Sequence, residues 1–185
     1  LWLVAIAILA VALSHAVMVG VMALTPVHMK HHDASLSIIG LTISLHIAGM
    51  YALSPVFGWA SDRFGRITVI LAGQAMFAAS IVLIGAFPDG TLSVTVALVL
   101  LGLGWSASTV SGSAMVSDLV TGNARVKVQG RTDTIMSLAG AAGGAAAGPV
   151  LALIGYAGVA WSAGVLVAVV TVAALTMPGR TAAPR

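Results

Sequence analysis

Gly58-Trp59-Ala60-Ser61-Asp62-Arg63-Phe64-Gly65-Arg66 is a short charged stretch set between two long apolar runs. It concentrates one acid and two arginines in a chain of 185 residues that is only 7% charged and 59% hydrophobic. With a mean hydropathy of +1.10, a water-soluble fold has nowhere to bury so much apolar surface, so the flanking runs read as helices in a bilayer. The net charge of +3 comes from only eight Lys and Arg, scattered over short connections. That pattern argues for a topology signal and against a nucleic-acid partner. The chain has no Cys, which excludes disulfides and thiolate metal sites. Leu1 already lies inside an apolar run and no initiating Met is present, so a piece of a longer protein is expected.

Working outward from the charged stretch, six segments are long enough to cross a bilayer, which takes roughly twenty apolar residues. They run over about 1–26, 35–60, 66–87, 91–116, 129–154 and 156–177, with a polar tail at 178–185. The expected connections are 28–34, 61–65, 88–90, 117–128 and a tight turn over Gly155–Gly158. Threading alternate connections to opposite sides puts Arg63, Arg66, Arg125, Lys127, Arg131, Arg180 and Arg185 on one side and Lys30 alone on the other. By the positive-inside rule the first side is cytoplasmic, and both termini and the tail face it. The reading is an all-α, polytopic integral membrane protein, expected in the cell membrane.

The spacing Gly-x-x-x-Asp-Arg-x-Gly-Arg, with a membrane helix on either side, resembles the signature loop of major facilitator superfamily transporters. Ile67 stands where that family often has a further basic residue. The resemblance implies a six-helix half of the usual twelve, built as two inverted three-helix repeats, with the third helix of each repeat on the lipid side. The aliphatic third and sixth segments fit that position, apart from Gln74. The fourth segment lacks the Arg that the first half of the family commonly carries, so the resemblance implies the C-terminal half. By the same resemblance Gly58, Asp62, Arg63, Gly65, Arg66 and Asp118 form a cytoplasmic gating latch. Gly58 would allow close helix approach, Gly65 a turn, and the arginines would pair with Asp62 or Asp118. A topogenic cluster that merely anchors the loop among headgroups is the plainer alternative.

His15 and His46 are the only ionisable side chains well inside the apolar runs, each roughly 16 Å deep at about 1.5 Å per residue. They are expected to share a depth and a cavity and to serve substrate contact or a proton pathway; hydrogen-bonded neutral rings are the alternative. Trp105 and Ser108, in a fourth segment that is small and polar all round, join them as candidate substrate residues, with interface packing as the other possibility for Trp105. The chain has no Glu, and Asp33, Asp62, Asp89, Asp118 and Asp133 all lie at or near helix ends, so no carboxylate is available at mid-membrane. Gly140, Gly144 and Gly148 recur every fourth residue before Pro149 and read as a packing and bending element. Its Gly-x-x-x-Gly-Pro part is similar to an antiporter signature of the family, with Ala152 and Leu153 replacing the trailing glycines. His28, His31, His32 and Asp33 crowd one connection and are a weak candidate for Zn or Cu; a solvated loop is the other reading.

Transport of a small solute by alternating access, with no cofactor and no enzyme activity, is the function these features imply. The partners are the lipid bilayer and a missing N-terminal six-helix half or a second copy. Two other classes stay open: a b-type haem protein with His15 and His46 as axial ligands, and a non-transporting membrane assembly module.

Overall fold

The computed structural model describes residues 2–177; Leu1 and the tail over 178–185, with Arg180 and Arg185, lie outside the described residues. The elements are α1 (Trp2–Met22), α2 (Thr25–His31), α3 (Leu36–Tyr51), α4 (Ser54–Phe64), α5 (Arg66–Ala86), α6 (Thr91–Leu119) and α7 (Ala124–Leu175). Pro26 and Pro55 explain why the first two apolar segments are each in two pieces. A proline removes a backbone donor and its ring clashes with the carbonyl four residues back, but it is tolerated in a first turn. Each falls in the first turn of a new helix, α2 or α4, after the chain has given way at 23–24 and 52–53. The expected helices over 1–26 and 35–60 are corrected accordingly, and the expected connection over 28–34 is largely the end of α2. The charged stretch is helical through Phe64, so the turn shrinks to Gly65, with φ 95° and ψ 148°. A β-carbon is strained in that region, which glycine occupies freely.

Five apolar runs are long enough to span a membrane: Trp2–His31, Leu36–Phe64, Arg66–Ala86, Thr91–Leu119 and Ala124–Leu175. The last holds 52 residues, which as one straight helix at about 1.5 Å per residue would reach roughly 78 Å, more than twice a bilayer core. Gly155, at φ 74° and ψ −180°, breaks it. Val128 near its start and Val170 and Ala174 near its end belong to one apolar cluster with Ala7, Ala10 and Val116. Tyr156, just past the break, belongs instead to the cluster of Val21, Met29 and Ala34 at the other end. The chain therefore doubles back at Gly155, and its limbs 124–154 and 156–175 lie side by side. Gly143 and Ala147 of one limb and Val159 and Ala163 of the other wall a cavity of about 180 Å³ against α1. Helix resumes at Tyr156, so the expected turn over Gly155–Gly158 narrows to one residue, and the first limb begins at Ala124 where 129 was expected.

α6 is the central element, packed on α1, α3, α4 and α5, while α7 packs on α1 and α5. Its small residues make that possible, since Gly102, Gly104, Ser106, Ala107, Ser108, Ser111 and Gly112 are all buried. At Gly73 of α5 an added β-carbon would lie 2.8 Å from the Gly104 carbonyl oxygen, so the two backbones touch there. α5 accordingly buries Ile70, Gln74, Phe77, Ser80, Ile81 and Ile84 along one side, and is not the uniformly lipid-facing rod its composition suggested. The more exposed apolar surface belongs to α3 and α4, with Leu41, Leu45, Tyr51, Val56 and Trp59 all open.

Candidate functional site

At one end of the bundle a single guanidinium ties two helices together. Arg66 opens α5 immediately after Gly65, so its side chain turns back over the last turn of α4. Its Nη1 donates to Asp62 Oδ1 and to Ser61 Oγ, the latter at 3.2 Å, while its Nε donates to Asp118 Oδ2 of α6 at 2.9 Å. Arg125, at the start of α7, donates to the carbonyl of Ser117, next to Asp118. The ends of α4 and α6 and the beginnings of α5 and α7 thus meet here. Among the described residues Arg63 forms no ion pair within 4.0 Å, so Arg66 alone is the bridge. The Asp62 and Asp118 side chains are 69% and 52% exposed, and ion pairs so open to solvent contribute about 0–1 kcal/mol each. Such pairs can part at little cost. Gly58 is not a close-packing point: a β-carbon there would meet only Val110 Cγ1, at 3.9 Å.

Midway along the bundle α1, α3 and α6 present a part-open aromatic cluster. Trp105 Nε1 donates to His15 Nδ1 at 2.9 Å, and the Tyr51 ring meets Trp105 edge-on with centroids 5.7 Å apart. Because Nδ1 accepts, the proton of a neutral His15 sits on Nε2. Gly140 of α7 makes room for that ring, since a β-carbon there would run into His15 Cδ2 and Nε2. His15 is half-buried, Trp105 nearly buried and Tyr51 open.

His46 takes a different position from the one expected. It is fully buried, its Nδ1 donates to the Leu98 carbonyl of α6 at 2.7 Å, and its Nε2 has no partner among the described residues. α3 packs on α6 and α1 packs on α6 and α7, so α6 stands between the two histidines. Each is tied to a different point of α6, His46 to the Leu98 carbonyl and His15 to Trp105. Ser108 is also drawn into packing: Gln74 Nε2 of α5 donates to Ser108 Oγ at 2.9 Å and to Ser14 Oγ of α1 at 3.1 Å, all three being buried. A buried amide needs such partners, which is why Gln74 of this largely aliphatic helix faces inward. Gln74 stood out in the sequence only as an exception, while Tyr51 had no local pattern to mark it.

The glycine stripe of α7 serves α1, with a shifted membership. At Gly143 an added β-carbon would lie 2.6 Å from the Ala16 carbonyl oxygen, and at Gly144 3.2 Å from Val19 Cγ1, whereas at Gly148 nothing lies within 4 Å. Gly143, absent from the every-fourth-residue pattern, is the tight contact of backbone on backbone. Pro149 sits inside the first limb of α7 without ending it. At the opposite end from Arg66, His28 and His32 come together with Asp89 of the α5–α6 connection, not with His31 and Asp33.

Comparison with known proteins adds the lineage. Residues 4–185 match the profile of the family described as Major Facilitator Superfamily. The uncharacterized MFS-type transporter YddS of Bacillus subtilis (strain 168) is 43% identical over 145 residues, covering 78% of this chain and 33% of the relative. YdeG of the same organism, also described as an uncharacterized MFS-type transporter, is 39% identical over 155 residues, 83% of this chain and 36% of the relative. The riboflavin transporter RfnT of Brucella anthropi is 34% identical over 160 residues, 86% of this chain and 40% of the relative. The chain thus spans between about a third and two-fifths of the curated relatives it matches.

Proposed function

Because the chain belongs to the major facilitator superfamily, a family of membrane transporters and not of enzymes, we propose that it is the C-terminal six-helix half of a secondary transporter. It moves a small solute by alternating access, rocking against a partner half around a central site. The observation that carries this reading is the Arg66 bridge between Asp62 and Asp118, a weak link between helix ends that holds one conformation and releases in another. The cytoplasmic side of the cell membrane is its place by the distribution of positive charge.

The solute is a flat heteroaromatic molecule, met by the face of Trp105 and the edge of Tyr51 and oriented by the Nε2–H of His15. Aromatic pairs of this kind contribute about 0.5–1.5 kcal/mol beyond area burial, enough for a site that must release its cargo on both sides. RfnT, whose name gives riboflavin as its substrate, shares this portion of sequence, so riboflavin is the first candidate. The test is counterflow of labelled riboflavin and other flat heterocycles in liposomes holding the full-length gene product. Uptake of one of them that excess unlabelled solute competes away supports the reading. No counterflow of any candidate, from protein that is folded and inserted, favours a membrane module that does not transport.

A further inference from the structure

We propose that His28, His32 and Asp89 form a binding site for a divalent transition-metal cation of the zinc type, at the end of the bundle opposite the Arg66 bridge. His28 and His32 are four residues apart at the end of α2, the spacing that places two side chains on one helix face, and their ring centroids are 4.5 Å apart. Asp89 arrives from the connection between α5 and α6. One donor atom from each of the three lies within 4.8 Å of the other two.

Those separations suit a small coordination shell. Bonds of about 2.0–2.1 Å arranged tetrahedrally put ligand atoms about 3.3 Å apart. His32 Nε2 and Asp89 Oδ1 stand at 3.3 Å. That pair already has the required edge, and the His28 donor closes by at most roughly 1.5 Å to complete a three-ligand face. Two imidazoles and one carboxylate select borderline transition cations over Ca²⁺ or Mg²⁺, which favour all-oxygen shells. Three protein ligands leave a fourth position for water.

Access and anchoring are divided among the residues. The His32 and Asp89 side chains are 40% and 69% exposed, so a hydrated ion reaches them from solvent. His28 is held from behind: its ring stacks on Tyr156 at 4.2 Å, and its Nε2 donates to the Pro88 carbonyl at 2.7 Å. Tyr156 in turn hydrogen-bonds Thr25 at 2.7 Å. A bound ion therefore cross-links α2 to the α5–α6 connection and, through the stacked pair, stiffens the reversal of α7 at Gly155. This site does not depend on what the protein transports.

The experiment is titration of the EDTA-stripped full-length protein in detergent with Zn²⁺, in competition with a chromogenic chelator, followed by Co²⁺ as a spectroscopic probe of tetrahedral geometry. His32→Gln and Asp89→Asn, both at exposed positions, should each weaken Zn²⁺ binding by at least about tenfold while leaving the elution profile and melting temperature of the metal-free protein unchanged. His31→Gln, on the same short helix but outside the cluster, should leave the affinity as it was. Equal affinity in all four proteins overturns the site, as does a loss in His31→Gln as large as in the other two. Absence of any binding to the unaltered protein overturns it too.

Discussion

Trp105 and His15 are joined by one hydrogen bond, and that bond decides which imidazole nitrogen carries the proton. Replacing the indole by a phenyl ring keeps an aromatic wall but deletes the donor. A lost hydrogen bond of this kind is worth about 1 kcal/mol, or roughly fivefold in an equilibrium. Trp105→Phe should therefore raise the half-saturation concentration for uptake about fivefold in the reconstituted full-length transporter, with a stability loss near 1 kcal/mol. Uptake indistinguishable from the unaltered protein would mean the pair only packs helices. The tryptophan and the histidine were both legible in the sequence, one as a large ring in a small-residue helix and the other as an ionisable group in an apolar run. Their contact was not, because it depends on α6 lying against α1, and no local pattern states which helices touch.

Helix α7 and its partner α1 illustrate what element-level patterns can and cannot carry. The repeat Gly140, Gly144, Gly148 marks a face stripped of side chains, but the axis of contact crosses that row and does not follow it. Gly140 and Gly143 end up against α1, and Gly148 faces open space. The difference is measurable. Gly143→Ala drives a methyl group towards a backbone carbonyl that cannot swing away, and overpacking of this kind costs about 1–3 kcal/mol. Gly148→Ala meets nothing and gains helix propensity worth up to about 1 kcal/mol. Thermal unfolding of the two variants in the same detergent should move in opposite directions. Breaks in the helices follow the same logic: Pro26 and Pro55 mark their positions in the sequence, yet only the folded chain shows that helix resumes at once on the far side. Gly155 needed the three-dimensional path to show that one residue suffices for a reversal.

Across the whole molecule, the sorting of charge was the most legible feature, because it depends only on counting apolar runs. The structure gathers Arg66, Asp62, Asp118 and Arg125 at one end and His28, His32 and Asp89 at the other. The chain has no Cys, so single cysteines are clean reporters within it. Arg63→Cys and Arg125→Cys should react with an impermeant thiol reagent from one side of the membrane, and Asp89→Cys only from the other. At this scale the Arg66 bridge has its meaning, since it links the α4–α5 turn to the end of the central helix. Arg66 uses two different nitrogens for its two carboxylates, a geometry that the single ammonium of lysine does not reproduce. Both carboxylates are more than half exposed, so loss of one pair changes stability by no more than about 1 kcal/mol. If the bridge holds one conformation of a rocking cycle, the same loss acts on the balance between conformations, where about 1 kcal/mol is roughly a fivefold shift. Arg66→Lys should therefore melt within a degree or two of the unaltered protein while its maximal transport rate falls about fivefold and its half-saturation concentration changes less. A variant that loses stability and rate together would instead make the bridge a structural tie, and one that loses neither would reduce it to a topological anchor.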